Sequence, residues 1–405
     1  MSMIKPKEKA IWMLPGGAMQ KPFVDKIKAR GYKAIVSDMA ADCYCREYAD
    51  EFVNVDAYDL EGNEKAAAKL SKIYNICAVV TGGSDCCEAP AVIAKKLGIH
   101  GVDPGIAKIF RYKNLHRPLL IKAGLPQPKF GTAKTFAEAK KLITEFGLPV
   151  CFKATNNAGS RGFTAIRKDE DATEKAFEIA KRFGTTGIVI IEELLIPVEN
   201  EIAEQSLETV WYNGKMYWLN WVDRPFRNDL KLFPEIDDSR YRRNAWATEI
   251  GHINPAVHSN EVVDEVKRQV YVCGVTLGLA GQKGGHIMKC DIFITKDGPY
   301  IIEPTLRLSG GWDSGASTPV RGGDFIGGAI ELALGKKLDL SMWQMYFELK
   351  YPQVHSAILT EVVDSLDTSV TRSFALATGL DRISALKNAE VALNKGNFLG
   401  YKDKN

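Results

Sequence analysis

The chain has 405 residues, 45% of them hydrophobic and 25% charged, with a formal net charge of +3. At roughly 150 residues per domain this suggests two or three domains, with the composition of a globular enzyme. The charge is too small to point to nucleic acid or a membrane surface, and no run of about 18 apolar residues offers a membrane span.

The N-terminus is charged and then enters an apolar strand, without the long apolar core of a signal peptide. Eight cysteines lie scattered through the chain. Cys43-Tyr-Cys45 and Cys86-Cys87 lack companions at zinc spacing. Reduced thiols in a cytoplasmic protein are the expectation.

Residues 10 to 15 read as a short strand ending at Gly16-Gly17. A helical pattern follows to Arg30, then a strand over 31 to 38. Ala78 to Thr81 is another apolar run, followed by Gly82-Gly83 and a helix through Leu97. Strands alternating with helices imply a parallel sheet, placed in a first, Rossmann-like domain of residues 1–112. Asp38 stands where a ribose-binding acid would sit, but Gly16-Gly17 does not complete a dinucleotide fingerprint. That gap argues against an NAD-dependent oxidoreductase.

A second unit, residues 113–192, opens at Lys113. Thr135-Phe-Ala-Glu138 is a capping box. Phe136, Ala139, Leu142, Ile143 and Phe146 recur at helical spacing, and Gly147 closes the helix. Strands are predicted at 150–153, 163–167 and 187–191, with a helix at about 170–183, giving a β-α-β-β-α-β lobe. The loop from Ala154 to Gly162 is rich in Gly, Ser and Asn, and its backbone N–H groups can turn inward around phosphate oxygens.

A third unit, residues 193–335, is predicted to hold strands near 201–221, a helix near 258–280 and a β-hairpin. Alternating apolar residues flank Lys296-Asp297-Gly298. A three-residue loop there would pair Thr295 with Pro299, Phe293 with Ile301 and Asp291 with Glu303. Lys289, Asp291, Glu303 and Thr305 then share one face. Facing carboxylates repel unless a cation lies between them, and oxygen-only ligands suit Mg²⁺ carrying a phosphate. By alternation His286 falls on the other face, in a structural role. Residues 336–405 read as a small C-terminal α/β addition with a helix through Ser384 to Leu393.

Nucleotide chemistry also needs cations for phosphates, an adenine slot and ribose acceptors. Lys153 ends a strand before the Gly-Ser loop and offers a point charge. Glu192-Glu193-Leu194-Leu195 leaves an apolar strand, where backbone groups can meet a base edge. Glu199 or Glu201 can accept from ribose hydroxyls.

Together these motifs resemble the ATP-grasp superfamily, in particular carboxylate–amine ligases related to the carbamoyl-phosphate synthetase large subunit. The resemblance runs from about residue 10 to 335. It rests on Lys113-x-x-x-Arg117 before Gly124-Leu-Pro-x-Pro128, Pro149-Val-Cys-Phe-Lys153, Gly159-Ser-Arg-Gly162 and Glu192-Glu193. Asp291 followed by Ile302-Glu303-Pro-Thr-Leu-Arg307-Leu-Ser-Gly-Gly311 completes the set. It implies an N-terminal parallel-sheet domain, an α+β lid lobe and a larger antiparallel α+β lobe.

It also implies that Lys113 and Lys153 hold phosphates and that the loop Ala158, Gly159, Ser160, Arg161, Gly162 closes over them. Glu192, Glu193, Leu194 and Leu195 would take adenine, and Glu201 (or Glu199) ribose. Asp291 and Glu303 would hold Mg²⁺ or Mn²⁺, with Arg307 and Lys153 serving catalysis. One departure stands out: Thr305 occupies the position of a usual Asn ligand, and a neutral hydroxyl is a weaker donor to a hard cation.

The implied reaction passes the γ-phosphoryl of ATP to a small carboxylate, and an amine then displaces phosphate from the acyl phosphate. Arg224, Arg227, Arg243, Arg307 and Arg321, with Gly310 and Gly311, are candidates for holding the substrate. Trp211, Tyr217, Trp221 and Trp312 are candidates for walling its pocket. A homodimer is the expected assembly, as such ligases are often dimeric. The alternatives are an ATP-binding regulator that has lost turnover, which Thr305 favours, and a small-molecule or acyl kinase.

Overall fold

The computed structural model describes residues 6–157, 159, 161–241, 249–310, 312–343, 354–362 and 372–399. Ala158, Ser160, Gly311 and Arg243 lie outside the described residues.

The first sheet contains β1 (Lys9–Met13), β2 (Lys33–Asp38), β3 (Glu51–Asn54) and β4 (Asn75–Val80), all parallel in the order β3-β2-β1-β4. Its strands are apolar on both faces because both are covered. Ala10, Trp12 and Leu14 pack with Ala67, Leu70, Ala89 and Ile93 of two helices. Ile11 and Met13 face the other way, toward Val24 and Ile27 and toward Phe325 and Ile330. The last two belong to the helix Phe325–Ala333, which therefore joins the third lobe to the first sheet. At Gly16 the backbone N–H donates to Asp38 at 2.8 Å, so that carboxylate closes a turn.

The second sheet is antiparallel. It holds β5 (Phe130–Ala133), β6 (Val150–Ala154), β7 (Thr164–Ile166) and β8 (Val189–Glu193) in the order β5-β8-β6-β7. The Thr135–Glu138 capping box opens the helix Phe136–Phe146. That helix and Glu174–Phe183 cover one face through Val150, Phe152, Val189 and Ile191. Period 2 then turns Cys151, Lys153 and Glu192 to the opposite face.

The third sheet has seven strands. They are β9 (Glu204–Tyr212), β10 (Lys215–Asp223), β11 (Gly251–Asn254), β12 (Gly285–Thr295), β13 (Gly298–Thr305), β14 (His355–Val362) and β15 (Arg372–Gly379). Their order is β13-β12-β9-β10-β11-β14-β15. The segment read from sequence as a C-terminal addition thus supplies two strands of this same sheet. The helix Asn260–Thr276 covers one face, over Leu207, Trp211, Cys290 and Ile292.

The hairpin differs from the sequence expectation in its turn. Thr295 pairs with Gly298 and Phe293 with Tyr300, so two residues form the loop. Ile302 is an extra residue on β13, and this bulge restores the expected register at Asp291–Glu303 and Lys289–Thr305.

All eight cysteines are free. No helix among the described residues is long and apolar enough to cross a membrane.

His286 lies at the junction of the first and third sheets, its ring stacked on His100 at 5.0 Å. His100 contacts the carbonyl of Gly285, and His286 that of Lys283, each at 3.0 Å. Burial, with His100 adding, lowers the His286 imidazole to about 4. The folded form therefore binds this proton more weakly than the unfolded chain. Its contribution to stability is complete above pH 6.5 and is lost as pH falls toward 4. In a melting series over that range, His286→Gln should show a shallower fall in Tm than the wild type.

Candidate active site

A cleft of about 370 Å³ opens between the second sheet and the β12–β13 hairpin. Three elements bring its charged groups together. The helix Lys113–Lys122 presents Lys113 and Arg117, one turn apart on the same face. β6 and β8 present Lys153 and Glu192. The hairpin presents Lys289, Asp291 and Glu303.

Arg117 is fully buried. Its Nη2 donates to Glu192 at 2.5 Å and to the carbonyl of the bulge residue Ile302 at 3.1 Å. Nη1 donates to Gln127 at 2.6 Å. Glu192 is also within 3.3 Å of Lys153 Nζ. Burial alone would lower the Lys153 ammonium, but Glu192 outweighs it and raises it above the ordinary lysine value. Lys153 is thus a lasting positive charge at the cleft wall. Lys113 donates to the carbonyl of Asn157 at 3.0 Å and contacts Glu303.

Asp291 contacts Lys289 and lies 3.1 Å from Arg224 Nη1. Burial pushes its carboxyl up, but Lys289 and Arg224 outweigh that and hold it below the usual carboxylate range. Asp291 is therefore held as an ionised group, and each of the two facing acids has a cationic partner from the chain. Among the described residues no third His, Cys, Asp or Glu joins them in a metal-binding group. The pair still fits Mg²⁺, which is commonly held by one or two carboxylates plus substrate phosphates.

Near the end of β8, Glu193 N–H bonds Lys129 O and Leu194 N–H bonds Pro149 O. The Leu195 N–H has no hydrogen-bond partner among the described residues. Pro149, Cys151, Leu194, Phe293 and Ile302 give this end of the cleft apolar walls. Gly159 and Arg161 line the cleft from the loop. Gly162 lies against Phe183 instead.

Several expected site residues stand elsewhere. Glu201 and Glu199 are exposed, and Glu201 reaches His258 at 3.4 Å. The acid on that side of the cleft is Glu204, which the sequence reading passed over because a strand-initial glutamate carries no distinctive pattern. Burial drives its carboxyl up to about 7 against the pull of Arg224, and Asp291 and Glu249 add to the rise. Arg224 does line the cleft, but Glu204, Glu249 and Asp291 already surround it. Arg321 donates to Asn254 at 2.6 Å. Gly310 packs on Gly83, where a Cβ would come within 3.2 Å of the Gly83 Cα. Arg307 borders a smaller neighbouring cavity and pairs with Asp85. Trp211, Trp221 and Trp312 are buried in apolar clusters.

Replacing Arg117 by Met should leave Glu192 buried with Lys153, at 3.3 Å, as its one cationic partner. Losing one partner of a buried pair typically costs about 3–5 kcal/mol. Urea unfolding should show a destabilisation of that order, and an unchanged midpoint would show that the pair does not anchor the cleft.

No family model matches the chain. A phosphoribosylamine–glycine ligase of Streptococcus suis is 37% identical over 200 residues, covering 48% of this chain and 44% of the relative. The chain spans 60% and 44% of the lengths of the first two curated relatives it matches. Among solved structures, an N5-carboxyaminoimidazole ribonucleotide synthetase in its ADP complex superposes with a TM-score of 0.70 at 16% identity. That match covers 98% of this chain and 99% of the other. The biotin carboxylase domain of a Hydrogenobacter thermophilus 2-oxoglutarate carboxylase, solved as a dimer with MgADP and bicarbonate, gives a TM-score of 0.63 at 17% identity. It matches 88% of this chain and 75% of that one. With its parallel N-terminal sheet, its four-stranded lobe and its hairpin-bearing antiparallel sheet, the chain has the ATP-grasp fold.

Proposed function

We propose that this chain is an ATP-dependent carboxylate–amine ligase acting on small molecules. The observation that carries the reading is the convergence of Lys113, Lys153, Asp291 and Glu303 on one cleft with an apolar end. The ADP-bound neighbour of the same fold supports nucleotide as the occupant.

Adenine fits between Leu194, Phe293 and Ile302, with the Leu195 N–H as a donor to its edge. Lys113 and Lys153 bind the phosphates as point charges. Asp291 and Glu303 are the residues that would hold Mg²⁺ or Mn²⁺. When bound, the ion neutralises charge on the β- and γ-phosphate oxygens. Lys113, which contacts Glu303 here, would turn to the phosphates once that carboxylate serves the ion.

Phosphoryl transfer to a carboxylate asks little covalent help from the protein; positioning and charge neutralisation carry it. The transfer breaks the bond from the γ-phosphorus to the bridging oxygen and forms an acyl phosphate and ADP. An amine then attacks the acyl carbon, loses a proton and expels phosphate. The acyl phosphate is open to hydrolysis, so the loop around Gly159 and Arg161 excludes water by closing.

Thr305 and the crowd of cations around Asp291 favour one second reading, a nucleotide-binding regulator without turnover. The discriminating assay supplies MgATP with pooled amino acids and small carboxylates and measures ADP and phosphate. ADP release that requires an amine is the expected result. Tight ATP binding without turnover would favour the regulator, and a stable phosphorylated product formed without amine would mean a kinase.

Two variants test the residue roles. Lys153→Ala should weaken MgATP binding about ten-fold, as loss of one charge-assisted contact implies. Glu303→Ala should abolish turnover while the chain stays folded by circular dichroism. Undiminished activity in Glu303→Ala would remove that residue from the metal site.

A further inference from the structure

The loop after β4 sends an acid from the first domain into the third lobe. Asp85 is 8% exposed. Its Oδ1 accepts from Nε of Arg307 at 2.6 Å and lies 2.6 Å from Nη2 as an ion pair. Arg307 Nη1 donates to the Leu308 carbonyl at 3.0 Å. A guanidinium has five N–H donors, so beyond the bonds from Nε and Nη1, donors on both Nη1 and Nη2 make no hydrogen bond to the described residues. Two such donors match two oxygens of a phosphoryl group.

The backbone is built for this contact. Gly82 forms an isolated parallel bridge with Leu308, and Gly83 N–H bonds the Leu308 carbonyl at 3.3 Å. A Cβ at Gly310 would come within 3.2 Å of the Gly83 Cα, and Gly83 itself has the positive φ of +68° that favours glycine. The Asp85 carboxylate is not used as a closed two-oxygen fork. Its Oδ2 is buried with no hydrogen-bond partner among the described residues. A pair serving only to bury an arginine gains more from two parallel bonds. Here one oxygen lies against the Nε–Nη2 edge of the guanidinium, takes the Nε bond and fixes its orientation. The charge of Arg307 reaches Asp291 and Glu303, the acids of the cleft.

We propose that Asp85 is a positioning residue that aims Arg307 at the transferred phosphoryl group, making the first domain a working part of the phosphoryl-transfer site. The inference rests on the ATP-dependent reading above. Its prediction is specific: Asp85 matters for the γ-phosphate and not for the rest of the nucleotide.

The test compares MgATP and MgADP binding by calorimetry in the wild type, Asp85→Asn, Arg307→Lys and the double variant. The wild type should prefer MgATP. Asp85→Asn should cut the ATP-over-ADP preference about ten-fold, the size expected for one charge-assisted hydrogen bond. Arg307→Lys should cut it similarly, and the double variant should lose no more than either single one, because both act through one group. Asp85→Ala serves the same comparison if the Asn variant does not fold. A merely structural acid would lower both affinities together or only the melting temperature. Equal losses for the two nucleotides, additive losses in the double variant, or no wild-type preference would overturn the proposal. A wild type that binds neither nucleotide would instead strike the ATP reading on which it rests.

Discussion

Arg117 holds the cleft in shape. It is wholly enclosed and comes from the helix that begins the second lobe. Its donors end on Glu192 of the lid sheet and on the carbonyl of Ile302, beside Glu303. One side chain therefore fixes the spacing between the wall that bears Lys153 and the hairpin that bears the acids. Burying a guanidinium is costly unless it is paired; both Nη groups are bonded while Nε is not, so the carbonyls and carboxylate that take the Nη donors have little freedom to move. Lys113, one turn earlier on the same helix, is brought to Glu303 by the same constraint.

The rest of the site is an exercise in charge balance. Asp291 and Glu303 face each other across the hairpin, and facing carboxylates repel unless positive neighbours lie beside them. Lys289 and Arg224 supply them to Asp291, and Lys113 supplies one to Glu303. Glu204 shows the other outcome. It shares Arg224 with Glu249 and Asp291, and burial raises its carboxyl until it titrates near neutrality. The cleft thus pairs an ionised Asp291 on the hairpin with a more easily protonated acid at the start of β9. A metal–triphosphate complex entering it brings its own cation for the hairpin acids and its own anions for the lysines.

Much of this was legible in the sequence because period-2 alternation survives irregularity. The pairing of Asp291 with Glu303 was foreseen with a three-residue turn. The molecule uses a two-residue turn and a bulge at Ile302, and the two differences cancel at the acids. The bulge itself left no local mark; the carbonyl of its extra residue accepts from Arg117, 185 positions away. The lid lobe was readable from its capping box and its alternating strands. Glu201, expected in the cleft, stands exposed beside His258, and the segment between β8 and β9 has no period to count along. Glu204, Glu249 and Asp291 converge on Arg224 from three separate segments, which no local pattern records. The partnership of Asp85 with Arg307 spans 222 positions, and only a hint of it shows in the paired glycines on either side. β14 and β15 were set apart as an addition because a sequence does not say which sheet a strand will join.

The central claim is that the hairpin acids grip a divalent ion that carries a triphosphate. Calorimetric titration of the intact chain with ATP, in the presence and absence of Mg²⁺, tests it most directly. The account predicts tight binding with Mg²⁺ and a marked loss of affinity without it. No heat of binding in either condition, or equal affinity with and without the ion, would contradict it.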